Sequence, residues 1–208
     1  MILIGQYDSP FVRRVGIALT LYDLPFTHQP WSVFGDADSI AAHNPLRRVP
    51  TLVLDDGVAL IESHVILDYL DGLARPDQRL FPSTGTARRD ALRTAALACG
   101  LADKAVALFY EKVLHDVTSD LWVDRCRAQL DGTLSLLERE RAAQSSLWWG
   151  GDRMGHADIA TACVLRFVSE AHPGIMDRAA IPSLSALSDR CEAMEAFRTI
   201  SQPCSPPA

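Results

Sequence analysis

Lysine is nearly missing from this chain. Lys104 and Lys112 are the only two in 208 residues, and arginine carries the remaining basic charge, a preference that reads as coding bias rather than chemistry. The formal net charge of -6 excludes a general nucleic-acid surface, because phosphate recognition needs clustered positive charge. No apolar run approaches the length of a membrane span. No basic start followed by an apolar stretch and a small-residue cleavage site marks a secretory leader, so the expected location is the cytoplasm, with no membrane partner. Cysteines stand at 99, 126, 163, 191 and 204. An odd count, wide spacing and the lack of any CxxC exclude a disulfide framework and a zinc site. Cys99, Cys126 and Cys163 fall on apolar faces of helical segments and read as buried small hydrophobes, whereas Cys204, in a proline-rich tail, is expected to be exposed. The histidines are scattered without metal-ligand spacing, so no metal is expected. What the chain has in quantity is hydrophobic residues, at 48%, enough for a full core.

Chemistry begins at Ser9-Pro10-Phe11. The brief apolar stretch Ile2-Leu3-Ile4 reads as a buried strand and breaks at Gly5-Gln6-Tyr7-Asp8. Serine is a favoured N-cap and proline a favoured first helical residue, and Val12, Val15, Leu19 and Tyr22 then recur at helical spacing. A hydroxyl is thus placed at the positive end of a helix, where an anion is stabilised. Taken alone, Ser9 reads as a plain helix cap, as most capping serines are.

A second strand is expected over Phe26 to Trp31. The segment Asn44-Pro45-Leu46-Arg47-Arg48-Val49-Pro50 then leads into the apolar run Thr51-Leu52-Val53-Leu54, and a proline is tolerated at a strand entrance. Asp55-Asp56-Gly57 is a hairpin signal, with Val58, Leu60 and Ile61 on the partner strand. Glu62-Ser63 opens a helix expected to carry Val65, Ile66, Tyr69, Leu70 and Leu73 on one face. Residues 74–86 hold two prolines and a glycine without a sustained period and read as a linker.

Beyond the linker the strand signals stop. Leu92, Ala96, Cys99, Val106, Phe109 and Val113 mark one long helix. Val123, Cys126, Leu130, Leu134 and Leu137 mark a second, and Ile159, Cys163, Phe167 and Val168 a third. Two shorter helices fit between Pro182 and Ile200, while Trp148 and Trp149 are expected in the core of the helical part.

Three sets of residues, in order along the chain, carry a family resemblance: Ser9 through Leu19, Arg48-Val49-Pro50 with Glu62-Ser63, and Gly151-Asp152-Arg153-Met154-Gly155-His156-Ala157-Asp158-Ile159-Ala160. The first two resemble the thioredoxin-like domain of cytosolic glutathione S-transferases, closest to the serine-type tau and zeta groups. The third resembles the start of the buried helix of that family's all-helical domain, with Gly155 where the family usually has Ser or Thr. The resemblance, with the arginine-rich composition, points to a bacterial member. It implies an α/β thioredoxin-like N-terminal domain over 1–76, a linker over 77–86 and an all-α C-terminal domain over 87–208.

The resemblance also implies a function: attack of the glutathione thiolate on a small hydrophobic electrophile. Glutathione serves as co-substrate, and no tightly bound cofactor is expected. Ser9 would be the catalytic donor to the sulfur. Pro50, in its cis form, would present the Val49 backbone to the cysteinyl part. Ser63 would meet the γ-glutamyl carboxylate, Glu62 the ammonium, and Arg48 the glycyl carboxylate. Phe11, Tyr110 and Trp122 are candidates for an electrophile pocket. A homodimer is expected, the thioredoxin-like domain of one subunit lying against the first two long helices of the other. A zeta-type isomerase is a second reading, disfavoured because Pro10 and Phe11 stand where those enzymes carry a further serine and a cysteine. Thiol-disulfide exchange would need a cysteine in place of Ser9. A non-catalytic ligand carrier or interaction module on the same fold is the alternative from another class.

Overall fold

The computed structural model describes residues 1–206 and divides into two compact units. The first contains Met1–Leu80 together with residues 195–206; the second is Phe81–Met194.

In the first unit, β1 (Ile2–Ile4), α1 (Pro10–Leu21), β2 (Thr27–Gln29), α2 (Ala37–Ala41), β3 (Thr51–Val53), β4 (Ala59–Ile61) and α3 (Ser63–Leu73) follow in order. The sheet order is β2-β1-β3-β4. β1 runs parallel to β2 and antiparallel to β3, and β3 pairs antiparallel with β4. β2 is shorter than the expected Phe26–Trp31, since Pro30 has no N–H to continue the ladder. The β3–β4 turn closes as the Asp-Asp-Gly signal predicts: Leu54 N–H donates to Val58 O at 2.8 Å, and Gly57 takes φ 88°.

α1 is buried on nearly every side and includes two buried arginines, Arg13 and Arg14. The reason for Arg13 lies at the far end of the chain. Its guanidinium donates to the carbonyls of Phe197 and Ile200, both at 2.9 Å, and lies 5.6 Å from the Phe197 ring centroid. These partners belong to α8 (Glu195–Thr199) and the residue after it. The side-chain amide of Gln202 accepts from Tyr7 N–H at 3.2 Å. A Cβ at Gly16 would come within 2.8 Å of Ile200 Cγ2, so only glycine lets the returning segment sit this close. The expectation that all of 87–208 forms the helical domain therefore needs correcting, because the segment from Glu195 packs with the first unit. Cys204 is half-buried rather than exposed.

α3 departs from its expected pattern. Ile66, Leu67 and Leu70 are buried, but Val65, Tyr69 and Leu73 are exposed at 54%, 40% and 51%. The apolar surface wraps further around the helix than one buried face requires.

The second unit holds α4 (Gly85–Leu114), α5 (Asp120–Ala142), α6 (His156–Ala171) and α7 (Pro182–Glu192), packed α4 on α5 and α6, and α7 on α5 and α6. α4 buries a small-residue face through Ala95, Ala98, Cys99, Ala102 and Ala105, leaving Leu92 and Val113 outside it. α6 is buried almost all round, as its near-continuous apolar sequence requires. Its cap works without a hydroxyl. Asp158, fully buried, accepts from Gly155 N–H and Trp149 N–H, both at 2.9 Å. Burial pushes this carboxyl up to about 6, against the lowering effect of those two donors. Trp148 and Trp149 are half-buried rather than core, with the guanidinium groups of Arg190 and Arg141 over their rings. No helix among the described residues is long and apolar enough to cross a membrane.

Candidate active site

Two of the candidate segments of the first unit are brought together by one close approach. Gly5, directly after β1, has φ 125°, and a Cβ there would fall 2.6 Å from Val12 Cγ2 and 2.7 Å from Val49 Cβ. The bare backbone at Gly5 is what allows the first turn of α1 and the loop before β3 to meet at the end of the strand.

Ser9 takes extended angles at the N-cap of α1, with Pro10 as the first helical residue. Its Oγ accepts from Val12 N–H at 3.4 Å. That bond occupies a lone pair, while the hydroxyl proton stays available to donate. Capping and donation to an anion are therefore compatible, and the choice between them that the sequence left open is not a real fork. Phe11 follows, half-buried.

The loop 44–50 supplies Arg48, Val49 and Pro50. The Val49–Pro50 peptide bond is cis. Arg48 and Glu62, read from the sequence as separate contacts, meet directly: Arg48 Nη1 lies 3.1 Å from Glu62 Oε1, both side chains about half exposed. An ion pair this open is worth ~0–1 kcal/mol, so it is easily exchanged for a ligand's charges.

Glu62 stands at φ 65°, ψ 119°, a left-handed conformation costing a non-glycine residue about 1–3 kcal/mol. It forms the N-cap of α3, which begins at Ser63. Ser63 is buried, and its Oγ accepts from Arg14 Nη1 at 3.5 Å. A buried guanidinium thus lies beneath a helix start whose own N–H groups already favour an anion. His64 comes next. Partial loss of its hydration, and then the Arg14 charge, hold its pKa below the ordinary histidine value, with the Glu62 charge opposing.

The other aromatic candidates belong to the second unit. Tyr110, half-buried near the end of α4, has its ring 6.0 Å from that of Phe109. Trp122, in the first turn of α5, is 36% exposed, with Lys104 Nζ 5.9 Å from its centroid. Each engages a neighbour of its own.

Sequence reasoning passed over Asn44 and Tyr7. Asn44 is 1% exposed and braces the 44–51 loop. The Asn-Pro pair, a turn initiator, was its visible signal. Tyr7 stacks on His28 with centroids 3.8 Å apart, and burial pushes its phenol up to about 12. No group of three or more His, Cys, Asp and Glu among the described residues is arranged to hold a metal ion.

Comparison with known proteins bears on this arrangement. Residues 3–78 match the glutathione S-transferase N-terminal domain, and residues 120–190 match the glutathione S-transferase C-terminal domain. The chain belongs to the glutathione S-transferase family. A glutathione S-transferase of Methylobacterium radiotolerans, crystallised with glutathione sulfonate, is 32% identical with a TM-score of 0.89, covering 100% of this chain and 98% of its own. A glutathione transferase family member from Pseudomonas fluorescens, with bound glutathione, is 29% identical with a TM-score of 0.82, covering 98% and 99%. The rice protein named probable glutathione S-transferase GSTU1 is 27% identical over 202 residues, covering 92% of this chain and 84% of its own length. The first unit is accordingly the thioredoxin-like domain of a glutathione transferase, and the four-helix unit belongs to its all-helical domain.

Proposed function

We propose that this transferase binds glutathione along the edge formed by Ser9, the 48–50 loop and the start of α3, and adds its sulfur to small hydrophobic electrophiles in the cytoplasm. The observation that carries the reading is the Ser9 hydroxyl, held at the N-cap of α1 with its proton free to donate. The thiol gives up its proton, and the sulfur lone pair forms a bond to the electrophilic carbon. A leaving group departs with its electron pair, or an acceptor double bond takes up a proton. Ser63 and the start of α3 receive the γ-glutamyl carboxylate, Glu62 the ammonium, and Arg48 swings from Glu62 to the glycyl carboxylate. Phe11 is the aromatic of this unit that we assign to the electrophile.

A free thiol with a pKa near ~8.5 is mostly protonated at neutral pH. Making thiolate the main species needs a shift of about two units, or roughly 3 kcal/mol of anion stabilisation. A hydrogen bond to a charged group supplies ~1.5–3 kcal/mol and the helix end up to ~1 kcal/mol. Ser9→Ala should raise the bound thiol's pKa by about one unit or more, following from the loss of that bond. Turnover should fall on the order of 10- to 100-fold while glutathione affinity is kept. Ultraviolet titration of the bound thiolate, beside an aryl-halide conjugation assay, reads both. Wild-type turnover with an unshifted pH profile in the alanine variant would leave Ser9 as a cap alone. Glutathione binding by the wild type without turnover of any electrophile would favour the carrier reading.

We further propose a homodimer. The exposed apolar stripe Val65, Tyr69 and Leu73 on α3 is the surface that supports it.

A further inference from the structure

Asn44 is a buried polar side chain of the first unit that the proposed chemistry does not touch, and it makes three hydrogen bonds. It follows α2, donates its own N–H to Ile40 O at 2.8 Å, and is 1% exposed. Its side-chain Oδ1 accepts from Leu46 N–H at 3.0 Å. Because Leu46 N–H can only donate, the oxygen is fixed there and the amide nitrogen faces the other way. That nitrogen donates to Arg48 O at 2.9 Å and to Thr51 Oγ1 at 3.1 Å. Thr51, fully buried, passes its own hydroxyl proton to the same Arg48 O at 3.1 Å. One backbone carbonyl therefore receives two donors from buried side chains, which uses both of its lone pairs.

This anchorage fixes more than a carbonyl. The peptide joining Arg48 to Val49 is trans, the cis bond being the next one along. In a planar trans peptide the C=O and the N–H point in opposite directions. Holding Arg48 O against Asn44 and Thr51 on the buried side turns the Val49 N–H toward the opposite, outer side. Rotating this peptide would remove both donors from the carbonyl. It would also leave the Asn44 amide and the Thr51 hydroxyl buried without that acceptor, which disfavours the rotated peptide.

We propose that Asn44, backed by Thr51, is the positioning residue that locks the Arg48–Val49 peptide and so presents the Val49 N–H to the cysteinyl carbonyl of glutathione. The inference rests on the glutathione reading above, but the direction of the N–H can be tested without any ligand.

Amide exchange followed by NMR on the free wild-type chain provides that test. Val49 N–H should exchange rapidly, whereas Leu52 N–H, inside the ladder, should be protected. Adding glutathione should slow Val49. A protected Val49 amide in the free chain would overturn the proposal even if glutathione binds. Rapid exchange in a chain that does not bind glutathione would uphold the lock and overturn the functional reading instead.

Variants provide the second arm. Asn44→Ala should raise KM for glutathione about tenfold or more with kcat changed far less, the mark of an interaction shared by ground and transition states. Thr51→Val should move KM the same way. The double variant should fall short of the product of the two effects, since both groups hold one oxygen. Tyr22→Phe serves as the control. It removes the 2.7 Å bond to Asp71, another buried hydrogen bond of this unit, and should lower Tm without moving KM. If Asn44→Ala and Thr51→Val lower Tm as Tyr22→Phe does and leave KM within about twofold, an energy difference under ~0.5 kcal/mol, their role is structural only and the proposal fails.

Discussion

Arg48 and Glu62 illustrate how one side chain's position changes the expected consequence of removing it. The two pair at 3.1 Å, so the proposed orientation of glutathione asks each to exchange the other for a charge of the ligand. In the proposed orientation Arg48→Ala removes a ligand contact and also an intramolecular competitor, and the second effect should partly offset the first. Ser63 is different: it is buried and accepts from Arg14, which leaves its own hydroxyl proton to give without releasing that partner. Ser63→Ala is therefore expected to raise KM for glutathione more than Arg48→Ala does, with kcat little changed in both, because neither touches the sulfur. Steady-state kinetics with glutathione varied would show this, and a fall in kcat at constant KM for both would reverse the proposed orientation of the ligand. A second expectation concerns His172, 2% exposed, with its Nε2 on Ala105 O at 2.8 Å. Burial holds its pKa below the ordinary value, with the Lys112 charge adding to this and the Ala105 carbonyl opposing it. Its folded pKa is depressed, so the neutral ring's stabilising contribution is complete above the unfolded value of ~6.5. That contribution is lost as pH falls through the folded pKa. Denaturant unfolding at pH 7 and pH 5 should show wild type losing more stability than His172→Asn.

At the level of elements, the end of β1 is the joint on which the site depends. Gly5→Ala would set a Cβ inside 3 Å of both Val12 and Val49 and ask an L-residue to hold φ 125°. Overpacking of this kind typically costs 1–3 kcal/mol, with backbone strain in addition. We expect a loss of roughly 3 kcal/mol or more, read by denaturant midpoint, with glutathione binding lost alongside it. Much of this unit was legible in the sequence, since Ser9-Pro10 and Asp55-Asp56-Gly57 act through local rules that the chain obeys regardless of its surroundings. The left-handed Glu62 was not legible, because no glycine announces it and the conformation is imposed by what surrounds α3. Arg13 was not legible either. An arginine on a helix reads as a solvated charge until Phe197 and Ile200, 184 and 187 positions away, supply its acceptors. Asn44 was half-visible: the Asn-Pro turn could be read, but not the burial that turns it into a brace. The apolar stripe of α3 was read at the right positions and assigned to the wrong side of the helix.

At the scale of the whole molecule, that stripe is the surface on which the homodimer proposal rests. Val65, Tyr69 and Leu73 recur every fourth residue and present one exposed face. Scattered apolar residues need no explanation, but a contiguous face invites a partner. Sedimentation at micromolar concentration should give twice the 22.8 kDa chain mass. Tyr69→Glu should return the monomer, and a wild-type species of 22.8 kDa would remove the dimer proposal. The return of the last segment to the first unit carries a different implication, for synthesis rather than for catalysis. A ribosome releases the chain from its amino end, so the sheet, α1 and α3 emerge before the whole of Phe81–Met194. Yet the carbonyls that satisfy Arg13, and the side chain that fills the notch at Gly16, arrive only at positions 197 to 200. Until then a guanidinium and an apolar hollow that the finished fold buries face water, on the same helix that Ser9 caps. The thioredoxin-like unit, although encoded first, is thus completed last, and a stalled nascent chain would display it unfinished.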